Sequence, residues 1–199
     1  MKDWINRTAR RIPNWLVYLV LFLPAPWLFY LGLTGGLGRE PINALEREYG
    51  ELALQLLIAS LCITPLRNVF GINLIKFRRV VGLMAFAYVA MHLCVWLFLD
   101  VQIVSQIVKD ILKRPYVTVG MAAFLLMIPL AVTSNNWSIR RLGPGWQKLH
   151  RLTYVAAILG GVHFIWLSRG FQLEPILYTA AIVGLVSMRI IRRARRTAR

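Results

Sequence analysis

The sequence predicts an all-α integral membrane protein: one six-helix transmembrane bundle with both termini on the cytoplasmic side. Three observations carry that expectation. First, 58% of the 199 residues are hydrophobic and 16% are charged, whereas a soluble domain is about half apolar and about a quarter charged. Second, apolar runs of roughly 17 to 20 residues recur along the chain, and about 20 residues cross a bilayer as helix. Third, the 24 basic residues outnumber the eight acids and are divided unevenly between alternate connections.

The elements follow in order. Residues 15–33 sit behind a basic start. The run is long for a signal-peptide core and no A-x-A-like site follows it, so it reads as a retained first helix. Pro24 and Pro26 are expected to kink it. Further spans are expected at 52–69, 80–99, 116–133, 149–168 and 173–191. Between the third and fourth, Ile103, Val104, Ile107, Val108, Ile111 and Leu112 recur at helical spacing with polar residues between them. That pattern predicts an amphipathic helix around 101–113 lying on the periplasmic membrane surface. The short connections and the absence of a 20–50-residue repeat place residues 1–199 in a single domain.

The net charge of +16 raises the question of nucleic acid, and its distribution answers it. The predicted cytoplasmic side carries Lys2, Arg7, Arg10, Arg11, Arg67, Lys76, Arg78, Arg79, Arg140, Arg141, Lys148, Arg151 and the six arginines from Arg189 to Arg199, opposed by Asp3. The predicted periplasmic side carries Arg39, Arg47, Lys109, Lys113, Arg114 and Arg169 together with the other seven acids. This is the positive-inside asymmetry. The tail RRARRTAR then reads as a topology signal and an anionic-lipid anchor, and no nucleic-acid partner is expected.

Cys62 and Cys94 both fall within apolar runs and read as buried small hydrophobes. No C-x-x-C-H or C-x-x-C is present, which excludes covalent c-type haem and a CxxC redox pair. Gly143 and Gly145 flank a proline and open no nucleotide-binding strand–turn–helix unit.

The chemistry rests on three histidines, all within or at the edge of apolar runs. An ionisable, metal-binding side chain at membrane depth marks a functional site, and neutral imidazole is a protein ligand for haem iron. His92 stands about 18 Å along its helix from the cytoplasmic end and His163 about 21 Å along its own, at 1.5 Å per residue. The two helices are expected to run parallel, so these imidazoles share one depth and are the candidate axial ligands of one haem. His150 lies at the cytoplasmic edge. Arg78 is nearly in line with His92 on an ideal helix, where a second histidine would stand if there were a second bis-histidine haem. His150, Arg78 and Arg79 therefore suit an anionic group, such as a flavin phosphate or the propionate of a second haem.

The strings ITPLR (Ile63–Arg67), RRVVGL (Arg78–Leu83), RPYVTVG (Arg114–Gly120) and LGPGWQKLHRLTY (Leu142–Tyr154), with His163 after the last, resemble the MsrQ (YedZ) family, and more broadly the ferric-reductase-like transmembrane domains. The resemblance runs nearly end to end. Larger relatives carry two histidine pairs on two helices, and this chain has Arg78 in one of those positions. The resemblance implies a bacterial inner-membrane electron-transfer subunit carrying haem b and FMN, not itself the catalytic subunit. It implies a cytoplasmic flavin reductase as donor. The implied acceptor is MsrP, a periplasmic molybdopterin enzyme that repairs methionine sulfoxide in envelope proteins. A quinol-linked cytochrome b and a proton-coupled transporter are the alternatives.

Overall fold

The computed structural model describes residues 2–168 and 172–197, with side chains described as far as Ile191. Arg169 and Arg199, and the side chains of the arginines from Arg192 onward, lie outside the described residues, as does the expected anchor they form. Among the described residues every element is helical. The helices are α1 (Lys2–Arg11), α2 (Asn14–Phe22), α3 (Pro24–Leu33), α4 (Pro41–Pro65), α5 (Arg78–Val95), α6 (Val104–Lys113), α7 (Pro115–Val132), α8 (Asn136–Leu142), α9 (Pro144–Leu149), α10 (Leu152–Leu167) and α11 (Leu173–Thr197). Five stretches are long and apolar enough to cross a membrane: Asn14–Leu33, Pro41–Phe70, Ile75–Val101, Pro115–Val132 and Leu173–Ile191. The remaining predicted span forms α10, a 16-residue helix of high mean hydropathy.

Prolines shape several of these helices. The first predicted span is two helices, with Pro24 opening α3 directly after the turn at Leu23. Pro65 ends α4 and hands the chain to a wide π turn at Leu66–Phe70, closed by Gly71 at φ 71°. Pro129 lies inside α7. Each lacks an N–H to give the carbonyl four residues earlier.

α4 packs most extensively on α5, and α7 on α10. α5 meets α7, α10 meets α11, and α11 returns to α4, so five helices close a ring, while α2 and α3 lie outside it against α5 and α4. The core is built from Leu54, Leu57, Leu61, Ala85, Met127, Ala156, Ala157 and Ile182. Small residues let the backbones approach, as is usual between membrane helices. At Gly161, Thr179 Oγ1 donates to the glycine carbonyl at 3.1 Å, and an added Cβ would stand 2.9 Å from that oxygen. Gly161 is therefore a point of close helix contact within an unbroken α10. Phe86 of α5 stacks on Phe124 of α7 at 5.7 Å. Outward faces carry exposed Leu19, Phe22, Phe29, Leu125, Val155 and Val183, an apolar exterior that water does not tolerate over such an area. Cys94 is also exposed, which corrects its reading as a buried residue: it points outward from α5.

Two phenols pin the broken first span to the ring. Tyr88, fully buried, donates to the Leu21 carbonyl at 2.8 Å, and Tyr49 donates to the Ala25 carbonyl at 2.8 Å. Tyr88→Phe is expected to cost about 0.5–1.5 kcal/mol for the lost hydrogen bond, and Tyr88→Ala about 3–5 kcal/mol for the cavity of a large aromatic. Chemical unfolding in detergent, followed by tryptophan fluorescence, checks the order of the two.

Candidate functional site

The hairpins α4–α5 and α7–α10 each deliver one histidine to the bundle interior, by the same device. In α5, His92 Nδ1 lies 2.8 Å from the Glu46 carbonyl of α4. In α10, His163 Nδ1 lies 2.7 Å from the Tyr116 carbonyl of α7. A carbonyl only accepts, so each Nδ1 carries a proton, and in the neutral ring each Nε2 then keeps its lone pair. A glycine stands four residues after each accepting carbonyl. A Cβ on Gly50 would come 3.2 Å from His92 Nδ1, and one on Gly120 would come 2.8 Å from His163 Nδ1. The missing side chains are what let each ring lie against the neighbouring backbone.

The two rings meet at 6.3 Å between centroids, with planes 79° apart. Two imidazoles that share one metal at about 2 Å per metal–nitrogen bond stand about 6 Å apart between ring centres. The Glu46 carboxylate approaches the same place, with Oε1 4.0 Å from His92 Nε2. Around this end lie the acid-bearing ion pairs of Arg47 with Glu51 at 2.7 Å and with Glu174 at 3.7 Å.

His150 does not join them. Its ring stacks on Trp146 at 3.8 Å, and its Nε2 lies 3.0 Å from Thr133 Oγ1. Trp146 in turn donates to the Thr133 carbonyl at 2.9 Å, so the tryptophan is a support for the histidine. Burial, and then the nearby Arg78 charge, push the His150 imidazole below the ordinary histidine pKa. Arg78 is thus near enough for its charge to act on His150. Arg79 is turned to Asn136, donating to its Oδ1 at 2.9 Å.

Sequence reasoning missed Gly50, Gly120, Glu46 and the Tyr116 carbonyl. It also read Arg189 as a topology charge only. Arg189 donates to the Tyr154 hydroxyl at 3.1 Å and to the Leu61 carbonyl at 2.6 Å. The one signal available was the glycines themselves, each set within a helical run.

The fold and this site define a polytopic helical membrane protein that presents two imidazoles to one another inside the bundle. Residues 49–161 match the family described as ferric reductase like transmembrane component. A protein of Brucella anthropi named protein-methionine-sulfoxide reductase heme-binding subunit MsrQ is 44% identical over 179 residues, covering 89% of this chain and 81% of that protein. Proteins of the same name from Brucella ovis and Brucella suis are 44% identical over 184 residues, covering 92% of this chain and 84% of theirs. The chain belongs to the MsrQ family of ferric-reductase-like membrane proteins. No solved structure matches it.

Two outcomes are expected from this geometry. Gly120→Ala, whose Cβ overlaps the His163 ring, should cost about 1–3 kcal/mol by overpacking and more than Gly50→Ala, read from thermal unfolding in detergent. His150 should contribute a pH-dependent stability of fixed sign. Its folded pKa is depressed, so its contribution is whole above about pH 6.5, the unfolded value. It falls as the pH drops through 6.5 towards the folded value, because there the unfolded chain binds the proton first. His150→Gln should flatten that slope in melts taken between about pH 7.5 and pH 5.

Proposed function

We propose that this chain is the haem-binding, electron-transferring membrane subunit of a protein-methionine-sulfoxide reductase system. In this reading it takes electrons from a cytoplasmic flavin reductase and passes them across the bacterial inner membrane to a periplasmic molybdopterin reductase of the MsrP type. It is the conduit, not the catalytic subunit. The observation that carries the reading is the pair His92 and His163, each with Nδ1–H committed to a carbonyl and Nε2 left as a donor atom. A haem b held by these two nitrogens supplies reversible one-electron chemistry.

The residues fit such a group on three counts. Backbone carbonyls fix the imidazole tautomer and orientation, the usual outer support of a metal-bound histidine. Gly50 and Gly120 keep the rings' flanks free of side chains. The separation of the rings would let both imidazoles hold one haem iron. Gly120 and Tyr116 position His163, while Gly50 and Glu46 position His92. At the other end, His150, Arg78 and Arg79 form the proposed site for an anionic cofactor group, an FMN phosphate or the propionate of a second haem, since guanidinium pairs well with either.

The proposed topology has six spans, with α10 as the fifth of them in chain order. Sixteen helical residues give about 24 Å of rise, which suits a helix enclosed by neighbours. Both termini are cytoplasmic, and the whole chain is a single domain. α6 lies on the periplasmic surface, with Val104, Val108 and Leu112 exposed along one stripe that suits the headgroup boundary.

Purified protein should show reduced-minus-oxidised bands of a low-spin b-type haem. His92→Ala and His163→Ala should each abolish or convert them, while His150→Ala leaves the low-spin signal in place. A wild-type spectrum in both of the first two variants would remove them as ligands. Reporter fusions after Ile191 should be active only in the cytoplasmic format; a periplasmically active fusion there would reject an even number of spans.

A further inference from the structure

Arg189 is the charged group in the bundle whose bonding is incomplete. Its place begins with Pro65, which has no N–H to give Leu61, four residues earlier. The next N–H, from Leu66, goes to Cys62 and Ile63. The Leu61 carbonyl, on a residue only 1% exposed, is left for Arg189, whose Nη2 donates to it at 2.6 Å. Nη1 donates to the Tyr154 phenol at 3.1 Å, and the guanidinium lies over that ring, 5.4 Å from its centroid. Nε is buried and bonds to nothing. Arg78 approaches the same phenol and the same guanidinium, and also neighbours His150. Among the described residues, none of the ion pairs involves Arg78 or Arg189.

Two guanidiniums at the edge of a low-dielectric interior, one with an orphaned N–H and neither in an ion pair among the described residues, repel each other and are underbonded. Buried charges are otherwise paired. A neutral donor would satisfy the Leu61 carbonyl, so that bond does not account for a full positive charge at this place. Arg79, which donates to Asn136, is not one of these two guanidiniums. We propose that Arg189 of α11 and Arg78 of α5, with the Tyr154 hydroxyl between them, form the receptor for the anionic group of the inner cofactor, a phosphate or a carboxylate. This rests on the inner-site reading above and assigns it a residue on a third helix. Guanidinium forks suit both oxyanions in bidentate geometry, and the orphaned Nε–H is a ready donor.

The test uses full-length protein in detergent. Flavin mononucleotide and riboflavin, which differ by the phosphate, are titrated by flavin fluorescence, and haem per polypeptide is measured by pyridine haemochrome. The outer haem's spectrum and the melting curve serve as folding controls. Arg10→Gln, an exposed charge on the same face, controls for loss of charge alone. If the anion is the flavin phosphate, Arg189→Gln should weaken binding of the mononucleotide about tenfold, the scale of one charge-assisted bond, and leave riboflavin unchanged. Arg189→Lys keeps the charge but loses the fork and the Nε–H, and should recover only part of that affinity. If the anion is a haem propionate, Arg189→Gln should instead lower haem content while the His92–His163 signal persists. Wild-type flavin binding and haem content in Arg189→Gln would overturn the inference. Loss of either in Arg78→Gln but not in Arg189→Gln would overturn the part given to Arg189 and keep the inner site. A wild-type protein with no preference for the mononucleotide and no haem beyond the outer one would sink both.

Discussion

Two hydrogen bonds hold the interior of this bundle in register: His92 Nδ1–H to the Glu46 carbonyl and His163 Nδ1–H to the Tyr116 carbonyl. Each ties the second helix of a hairpin to the first, across a glycine that admits the ring. Without those glycines the imidazoles would be pushed from the backbone and the helices apart. With them, α4–α5 and α7–α10 become two similar half-sites. The α5–α7 contact, which includes the stacked Phe86 and Phe124, turns the half-sites to face one another. The closed ring of helices is then the frame that keeps the imidazoles 6.3 Å apart.

The same economy of backbone polarity governs the other end. In a bilayer each freed carbonyl needs a partner inside the protein. Pro65 frees one, and Arg189 takes it from 128 residues away. Beyond Pro129, the Thr133 and Ser134 hydroxyls turn back onto the carbonyls of Pro129 and Leu130. Thr133 then faces His150, and its carbonyl accepts from Trp146. Pro65 thus recruits Arg189, while the hydroxyls at the end of α7 satisfy carbonyls of its last turn.

The two ends differ in charge, and the difference bears on function. Near His92 and His163, the carboxylates of Glu46, Glu51 and Glu174 are present, with Arg47 among them. Near His150 the neighbours are Arg78 and, through Tyr154, Arg189. A basic end attracts anionic cofactors and donors, and an acidic end discourages them. That polarity agrees with the proposed entry of electrons on the basic side.

Much of this was legible in the sequence. Segment lengths and hydropathy marked the helices, because a bilayer imposes a local rule on every span. Loop charges carry the proposed assignment of the two sides. Counting residues along two helices put His92 and His163 at one depth, and the rings do meet. The amphipathic pattern around 101–113 marked a helix, which the structure places at Val104–Lys113. What only the tertiary structure decided is which partner each of these groups faces. Glu46 with His92, Tyr116 with His163, Leu61 with Arg189, and the slots at Gly50 and Gly120 are contacts across 46, 47 and 128 residues of chain. A helix fixes the spacing of its own side chains but not the rotation and offset of the helix packed against it. Those are set by ring closure and by the fit of small residues, so the supports of the histidines, and the buried arginine, emerge only when the helices are assembled.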